Sequence, residues 1–356
     1  MVSTLKCKKA SSKEILVVVN HSMSSINPLI AHQSFVVKEL SEIYERVIVI
    51  TGGYDGKLNP RNVTVYSTNW RTGKHSRNLW NLYKTFFKVI FRTRKATYFF
   101  HMADLQAAFM SPFLRILGIK SYLWYAHKHL SIYLRFSNIW VNGIITSTPG
   151  SCPISTSKVF SIGQGVDPVL FKKHVGEKFD EGTHIGRIDK SKNYELIIDA
   201  FLNLQNRFIT KHLTIYGEPS RDESRSYLDF LQLKYHAEIK EGSIVFAGEL
   251  KKELVPVLLS EKDYFLHAYM GSLDKSLIEA TVTQLPVVTI NEEYIREFGR
   301  WASDTAPLTL ETEFEALINL SHEKRVEILE ERCAQAVANH SLKQWISKLV
   351  QLLSVG

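Results

Sequence analysis

Short runs of β-branched and aromatic residues recur along this chain, and amphipathic stretches with a helical period separate them. Such alternation is typical of βαβ units, which build mostly parallel sheets. The pattern restarts after the turn-rich segment GQGVDP, residues 163–168, and so predicts two successive doubly wound sheets. The predicted strands are residues 15–20, 47–51, 63–67, 97–101, 121–127, 143–148 and 158–162, then 182–186, 213–217, 243–247, 264–267 and 286–289.

Two α/β domains also suit the length of 356 residues, because a single core rarely grows beyond about 250–300 residues. Two such domains are expected to face each other across a cleft, and open α/β sheets bind ligands beyond the carboxyl ends of their strands. We therefore expect a ligand at such strand ends in the second domain. The predicted helices include residues 30–44, 194–206, 224–237, 251–259, 323–338 and 342–353.

No apolar run exceeds the length of a strand, so the sequence predicts no membrane-spanning helix. Residues 1–14 contain basic side chains but no apolar core of a signal peptide, which indicates a cytoplasmic protein. Cys7, Cys152 and Cys333 are far apart and lack C-x-x-C spacing. We therefore expect neither a disulfide framework nor a zinc site.

The net charge of +8 is unevenly distributed along the chain. Residues 1–170 hold 21 Lys and Arg against 7 Asp and Glu, whereas the remainder holds 23 against 29. Residues 56–103 carry ten basic side chains and no acidic one. Such a field attracts phosphates, acidic lipid headgroups or nucleic acid. Nucleic acid is the least favoured of these, because no recognisable reading motif accompanies the charge.

The segment HIGRIDKSKNYELIIDAF, residues 184–201, places two cations at the start of a helical run. Arg187 offers a planar fork for two phosphate oxygens, and Lys192 offers a compact point charge. The free N–H groups at the mouth of a helix add a positive partial charge. The segment therefore predicts a diphosphate site. The alternative is that both cations form surface pairs, with Asp189 and Glu195.

A second segment, GSLDKSLIEATVTQLPVV, covers residues 271–288 and forms another strand–helix junction. The carboxylate of Glu279 can accept hydrogen bonds from two ribose hydroxyls. Alternatively, Glu279 is a solvated residue that complements the helix dipole. Together, the two segments predict a pocket for a diphosphate with a sugar on one side and a ribose on the other, which is a nucleotide-sugar.

Several segments in one order resemble the two-domain, Rossmann-like GT-B glycosyltransferases, specifically retaining glycosyltransferase family 4, also called glycosyl transferases group 1. The segments are LWYAHKHLS at 123–131, SIGQGVDPVLF at 161–171, GRIDKSKNYELIIDAF at 186–201, LTIYGEP at 213–219, IVFAGEL at 244–250 and LIEATVTQLPVV at 277–288. The likeness extends over most of the chain.

The resemblance implies an acceptor-side domain at residues 1–165, a nucleotide-sugar-binding domain at 166–340, and a C-terminal helix at 341–356 that packs back on the first domain. It implies transfer of a sugar, with retention, from a nucleotide-diphosphate sugar to a glycan or lipid-linked acceptor in surface polysaccharide or glycoconjugate synthesis. It also implies that Gly217 and Phe246 lie at the strand ends that frame the nucleobase.

The same resemblance suggests roles for individual residues. The implied catalytic residues are His127, Arg187, Lys192 and Asp274. The implied donor-binding residues are Gly186, Arg187, Lys192, Gly217, Phe246, Gly271, Ser272, Leu273 and Glu279. No cofactor is implied, and no Asp-x-Asp motif occurs in the sequence, so we expect no required metal.

Three positions depart from the family pattern. Gly271 stands where the first acid of an E-x7-E pair is usual, and the GSLDK sequence resembles a variant in which Asp274 takes over part of its role. Gln284 replaces a usual glycine. No glycine precedes Gly52, so the usual N-terminal glycine loop is missing and SMSSINP, residues 22–28, occupies its place.

Two of the implied roles have alternatives. His127 would contact the transferred sugar or handle a proton, but it could instead be a hydrogen-bonded structural residue. His129 is a rival, because alternation in a strand would aim both side chains the same way. Asp274 could contact a sugar hydroxyl or form a local pair with Lys275.

The stretch from Arg77 to Lys95 projects as a helix with basic residues on one side and an apolar arc of about 200° on the other. It is either a core helix with a solvated basic face or a surface that rests on an anionic membrane. The rival function is a degenerate GT-B protein that binds nucleotide or glycan without transfer. A dehydrogenase is disfavoured, since Gly163-Gln164-Gly165 lacks the third glycine of G-x-G-x-x-G.

Overall fold

In the computed structural model, the chain divides into two compact units, Met1–Ile162 with Ile346–Gly356, and Gly163–Trp345. The structure describes residues 14–23, 31–58, 60–71, 73–174, 176–207 and 210–354. Cys7, the N-terminal basic residues, and positions 24–28 of the segment that replaces the glycine loop lie outside the described residues.

The described part of the first unit contains a parallel sheet of seven strands. These strands are β1 Ile15–Asn20, β2 Arg46–Thr51, β3 Val63–Ser67, β4 Thr97–His101, β5 Ser121–Trp124, β6 Gly143–Thr146 and β7 Val159–Ser161. Their order in the sheet is β3-β2-β1-β4-β5-β6-β7. The helices of this unit are α1 Ala31–Ser41, α2 His75–Ile90, α3 Asp104–Ile116 and α4 Ile132–Trp140.

The described part of the second unit contains a parallel sheet of five strands. These strands are β8 Glu181–Ile185, β9 His212–Tyr216, β10 Ile244–Gly248, β11 Tyr264–His267 and β12 Val287–Thr289. Their order is β10-β9-β8-β11-β12. The helices that begin in this unit are α5 Tyr194–Arg207, α6 Asp222–Lys234, α7 His236–Glu241, α8 Val255–Glu261, α9 Lys275–Val282, α10 Glu292–Phe298, α11 Leu310–Asn319, α12 His322–His340 and α13 Leu342–Ser354.

Long apolar runs lie in the inner strands because helices cover both faces of a parallel sheet. Leu16 to Val19 in β1 and Tyr264 to Leu266 in β11 are completely buried. Helices α4, α10, α11 and α12 begin at a capping side chain; at the start of α4, the Ser131 side chain accepts a hydrogen bond from the Leu134 N–H. Because the strands are parallel and helices follow them, the carboxyl ends of the strands and the starts of the following helices lie at the same edge of each sheet.

The predicted fold class, two parallel-sheet α/β domains, is confirmed. Every predicted strand is found, with ends displaced by no more than three residues. The prediction that β5 continues to residue 127 is wrong, because its pairing with β6 ends at Trp124. The helix predicted from Arg77 to Lys95 is wrong at both ends, since α2 begins at His75 and turns follow Ile90. None of the helices in the described ranges is long and apolar enough to cross a lipid bilayer.

Candidate functional site

The predicted donor-site residues of the second unit follow the carboxyl ends of neighbouring strands. Gly186 and Arg187 follow β8, Gly217 follows β9, and residues 268–274 connect β11 to α9. The strands β9, β8 and β11 are adjacent and parallel, so these three segments meet at one edge of the sheet. This is the edge at which open α/β sheets bind ligands.

Lys192 ends a short 3-10 turn, Lys190–Lys192, directly before α5. Asp189 begins this turn by accepting a hydrogen bond from the Ser191 N–H. Asn193 then adopts the left-handed conformation, with φ of 54°, which asparagine tolerates better than most residues. Its side-chain amide donates to the Ala268 carbonyl at 2.8 Å, which fastens the turn to the loop after β11.

The Lys192 ammonium forms an ion pair with the Asp274 carboxylate, although 82 residues separate them in sequence. Lys192 is only 8% exposed. Its Nζ also lies 3.8 Å from the centre of the Tyr269 ring, a cation–π contact. The cation is therefore held by two groups of the loop after β11. The alternatives that pair Lys192 with Glu195 and Asp274 with Lys275 are not found; Glu195 pairs with Lys234 instead.

A chain of hydrogen bonds continues from Asp274 into the sheet. His267 Nε2 lies 3.1 Å from Asp274 Oδ2, and His267 Nδ1 lies 3.1 Å from Thr289 Oγ1. The Asn291 N–H donates to Thr289 Oγ1, also at 3.1 Å. The simplest assignment is that Nε2–H donates to the carboxylate and Nδ1 accepts from the threonine hydroxyl. The carboxylate thereby receives hydrogen bonds from two directions.

Charge states follow from these contacts. Burial alone would raise the pKa of Asp274, but Lys192 and the His267 hydrogen bond outweigh it and hold this pKa well below its usual range. Burial lowers the pKa of His267 despite the neighbouring carboxylate. At neutral pH the site therefore holds the Asp274 carboxylate and a neutral His267 imidazole beside Lys192.

A second buried histidine, His184, lies behind this chain in β8. Its Nδ1–H donates to the Leu266 carbonyl at 2.8 Å, and its ring centre lies 5.8 Å from that of His267. Burial, with a smaller contribution from His267, lowers the pKa of His184 to about 3. A neutral imidazole is required here because no carboxylate contacts it.

The neutral state of His184 predicts a pH dependence of stability. Its pKa is lower in the folded state than in the unfolded state, so the stabilisation is complete above about pH 6.5 and declines as the pH falls from there towards 3. The slope for one group reaches about 1.4 kcal/mol per pH unit. We expect His184→Leu to flatten the pH dependence of the free energy of unfolding between about pH 4.5 and 6.5. Urea titrations of both proteins would measure it, and equal slopes would contradict the assignment.

Two glycines allow the site backbone to pack closely. A Cβ at Gly217 would lie 1.8 Å from the Gly186 carbonyl oxygen, so only glycine permits this contact between the ends of β9 and β8. A Cβ at Gly271 would lie 1.9 Å from Cζ of Tyr269. The ring of Tyr269 thus occupies the space that a side chain at 271 would need, so an acid at this position would require the ring to move.

Glu279 lies on α9, one turn after Lys275, and both side chains are half-buried. Burial raises the pKa of Glu279, and Lys275 and Lys252 act against this shift. Burial lowers the pKa of Lys275 to about 8, while Glu279 raises it. The alternative considered from the sequence was a solvated Glu279 that complements the helix dipole. The half-buried side chain is less solvated than that alternative assumed. Its predicted role in ribose binding stays a prediction.

The other predicted residues of this unit differ in exposure. Arg187 is exposed, and the hydrogen bond from the Ser191 side chain, with a smaller contribution from the Arg187 charge, lowers the pKa of Asp189. Ser272 and Leu273 are buried, and the Leu273 carbonyl accepts a hydrogen bond from the Gln164 side chain. Phe246, at a register shift in β10, is half-buried against the core of the second unit. The structure thus brings Lys192 into direct contact with Asp274 and Tyr269 of the loop after β11.

His127 belongs to the first unit, in the loop that follows β5. It is exposed, and its ring meets the Tyr125 ring edge-on with centres 5.5 Å apart. The alternation argument that linked it to His129 is wrong, because residues 127–129 are not in a strand. The Tyr125 hydroxyl donates to the His129 carbonyl at 2.6 Å and orders this loop.

The sequence analysis did not single out His267, Tyr269, Thr289 or Asn193. His267 and Thr289 could have been found, because they are polar residues at the ends of two adjacent apolar strands. Tyr269 carried no such signal. As for metals, no group of three or more His, Cys, Asp or Glu side chains is placed to hold one within the described residues. Cys152 and Cys333 are free thiols.

Residues 170–302 match the family described as Glycosyl transferases group 1. No curated protein sequence matches the chain. Many solved structures resemble it closely in fold but distantly in sequence. HepE of Anabaena, crystallised with UDP and glucose, aligns with a TM-score of 0.72 at 15% identity, over 96% of this chain and 99% of HepE.

Two further structures give the same picture. A glycosyltransferase of Rickettsia africae aligns with a TM-score of 0.71 at 12% identity, over 96% of this chain and 98% of its own. Sucrose-phosphate synthase of Thermosynechococcus elongatus aligns with a TM-score of 0.72 at 11% identity, with the same coverages. At such low identity the likeness establishes the fold, which is that of the GT-B glycosyltransferases.

Proposed function

We propose that this chain is a glycosyltransferase that moves a sugar from a nucleotide-diphosphate sugar to a glycan or lipid-linked acceptor. The observation that carries the proposal is the Lys192 cation, held by Asp274 and Tyr269 at the carboxyl edge of the second sheet. It lies inside the region that matches the group 1 glycosyl transferases. The neighbour HepE was crystallised with UDP and with UDP-glucose, which makes UDP-glucose the first donor to test.

The proposed chemistry is departure of a nucleoside diphosphate from the anomeric carbon of the sugar. Negative charge builds on the leaving phosphate, and cations already in place stabilise that transition state more than the ground state. We assign this work to Lys192 and the exposed Arg187. Retention of the anomeric configuration and a place in polysaccharide or glycoconjugate synthesis are proposed from the family resemblance alone.

Asp274 has two tasks in this proposal. Its carboxylate fixes the Lys192 ammonium before the donor arrives, so that little ordering is needed on binding. Two hydrogen bonds orient the carboxylate itself, and an oxygen that retains acceptor capacity can bind a sugar hydroxyl. Asp274 would thereby take over part of the task of the acid that is lacking at Gly271. Glu279 is proposed to bind the ribose hydroxyls.

The test is a panel of donors and nucleotides. Thermal unfolding would be followed with UDP-, GDP-, ADP- and CMP-sugars, and hydrolysis of each stabilising donor would then be measured. We expect one nucleotide class to raise Tm and its sugar donor to be hydrolysed slowly without an acceptor. If no nucleotide-sugar raises Tm, the proposal is wrong.

A non-catalytic GT-B binding protein is the second candidate. The observation in its favour is that Lys192 is already paired with a carboxylate, while position 271 carries no acid and is closed by Tyr269. Tight binding of a nucleotide without hydrolysis or transfer of any stabilising donor would favour this candidate over the enzyme.

We also expect turnover without a divalent metal ion. The positive charge for the leaving diphosphate would come from Arg187 and Lys192, and the sequence contains no Asp-x-Asp motif. Donor hydrolysis should therefore be unchanged, within about twofold, after dialysis against EDTA, since the protein side chains supply the charge. Loss of activity that Mg²⁺ or Mn²⁺ restores would contradict this expectation.

A further inference from the structure

The outer side of three helices in the first unit exposes large apolar side chains to solvent. Ile116 is 77% exposed, Ile132 is 75% exposed and Trp80 is 71% exposed. We call this region the α2–α4 surface. Its exposed apolar residues are Trp80, Phe91, Phe113, Ile116, Leu117, Leu130, Ile132, Tyr133, Phe136 and Ile139. A solvated monomer rarely exposes so many large apolar groups in one region.

The three helices lie on one face of the first sheet. Each connects parallel strands in the direction from β3 through β4 and β5 to β6, and right-handed crossovers in one direction place their helices on one side. Ring contacts link them directly. The ring centres of Phe87 on α2 and Phe113 on α3 are 5.4 Å apart, and those of Phe109 on α3 and Tyr133 on α4 are 6.4 Å apart. The apolar groups are therefore neighbours across three helices.

Helix α4 shows the pattern most clearly. Ile132, Phe136 and Ile139 have the spacing of one helical stripe, and all three are exposed. The buried positions of the same helix are Leu134 and Ser137. A helix that only covered a sheet would bury its large apolar stripe, whereas α4 presents this stripe outward.

Helix α2 contributes less than its sequence predicted. Leu82 and Phe86 pack into the core of the first unit, so about half of the apolar arc predicted from Arg77 to Lys95 is structural. Trp80 and Phe91 remain at the surface, together with exposed basic side chains. The exposed basic residues of the α2–α4 surface include Lys84, Lys88, Arg92, Arg94, Lys95, Arg115 and Arg135.

The charge around this surface is almost entirely of one sign. Residues 56–166 contain fifteen Lys and Arg but a single acidic residue, Asp104. Asp104 accepts a hydrogen bond from the Ser131 hydroxyl at 2.6 Å and so takes part in the local structure at the start of α4. The surface therefore combines a wide apolar area with a strong positive field.

We propose that the α2–α4 surface binds a lipid bilayer that contains anionic phospholipids. The apolar side chains would enter the headgroup–acyl boundary, and the basic side chains would contact the phosphates. A second copy of the chain fits poorly, because a symmetric contact would bring the two positive fields together. Nucleic acid fits poorly as well, because half of the exposed apolar side chains are aliphatic and no recognisable reading motif accompanies the charge.

Vesicle flotation with the full chain tests the proposal. Vesicles of phosphatidylcholine alone are compared with vesicles that also contain phosphatidylglycerol. The apolar variant carries Ile132→Ser and Ile139→Ser, and the charge variant carries Lys84→Glu and Arg92→Glu. A matched control carries Leu233→Ser and Lys240→Glu, two exposed positions of the second unit. Because all of these side chains are exposed, circular dichroism and Tm should stay unchanged.

We expect the wild-type chain and the control to float with the anionic vesicles and not with the neutral ones. The charge variant should lower the affinity for anionic vesicles by about 25-fold or more, since each of the two basic residues near an anionic surface contributes about fivefold. The apolar variant should lower this affinity by about tenfold or more, because two large apolar side chains no longer enter the headgroup–acyl boundary. Added salt should weaken the binding to anionic vesicles, because it screens the attraction between the basic side chains and the phosphates. Equal flotation of all four proteins, or none by the wild type at low salt, would overturn the proposal. A wild-type dimer that the apolar variant dissociates, without vesicle binding, would overturn it in favour of a second copy.

Discussion

Lys192→Ala is expected to lower the turnover of the nucleotide-sugar donor by about 10²–10³-fold, the loss typical of removing one preorganised group that stabilises transition-state charge. The affinity for the free nucleoside diphosphate should fall by about tenfold or more, because a charged hydrogen bond to phosphate is lost. Single-turnover hydrolysis and calorimetric titration would measure the two quantities.

The ion pair with Asp274 supplies a sharper comparison. Asp274→Asn keeps the Lys192 cation and removes a negative charge beside it, so the nucleoside diphosphate should bind at least as tightly as to the wild type while turnover falls. Lys234→Ala, which removes another lysine paired with an acid in the same unit, should leave turnover unchanged. Near-wild-type turnover of Lys192→Ala, at a temperature where the variant is folded, would refute the assignment.

Gly217→Ala is expected to destabilise the second unit by about 3 kcal/mol or more and to abolish donor binding. The added methyl group would lie 1.8 Å from the Gly186 carbonyl oxygen, a backbone atom that cannot move alone. Relief of this clash requires displacement of the segment that carries Arg187, where the Gly186 N–H also donates to the Tyr216 carbonyl at 2.9 Å. Chemical denaturation and nucleotide-induced changes in Tm are the measurements.

Gly242→Ala is the matched control for that variant. Gly242 ends α7 with φ of 81°, and no atom lies within 4 Å of the position of its missing Cβ. Its replacement should therefore cost only the left-handed strain of about 1–2 kcal/mol and leave nucleotide binding intact. Similar losses in the two variants would show that the close approach at Gly217 is unimportant.

The strands and the location of the candidate site could be predicted from sequence because both depend on local patterns. Apolar runs as long as strands, separated by helical periods, identified the sheets, and cations placed after an apolar run marked the end of β8. Partners could not be predicted in the same way. From the sequence, Glu195 was the candidate partner of Lys192, and Lys275 was the candidate partner of Asp274. Both were chosen because they are close in sequence, and distances in space were not known.

The predicted ends of strands and helices were wrong for a related reason. The residues from Tyr125 to His127 continue the aromatic composition of β5. The last backbone hydrogen bond from this segment to β6 runs from the Tyr125 N–H to the Ile145 carbonyl, at 2.8 Å, and the strand ends there. The apolar arc of α2 likewise did not indicate which of its residues would be buried against the sheet and which would remain exposed. Position 271 is the clearest case. The missing acid was visible as a departure from the family pattern, but the position of the Tyr269 ring beside Gly271 depends on a backbone turn that residue types alone do not reveal.

The division of the chain has a consequence for biosynthesis. The second unit is one continuous stretch, Gly163–Trp345, whereas the first unit includes Ile346–Gly356 from the far end of the chain. Leu349 and Leu353 of this stretch are buried, and the Leu353 carbonyl accepts a hydrogen bond from the Thr97 hydroxyl. On the ribosome, the part of the protein that is made first is therefore completed last. A chain that ended near residue 345 would lack the segment that completes the first unit, although the five-stranded sheet of the second unit would be intact.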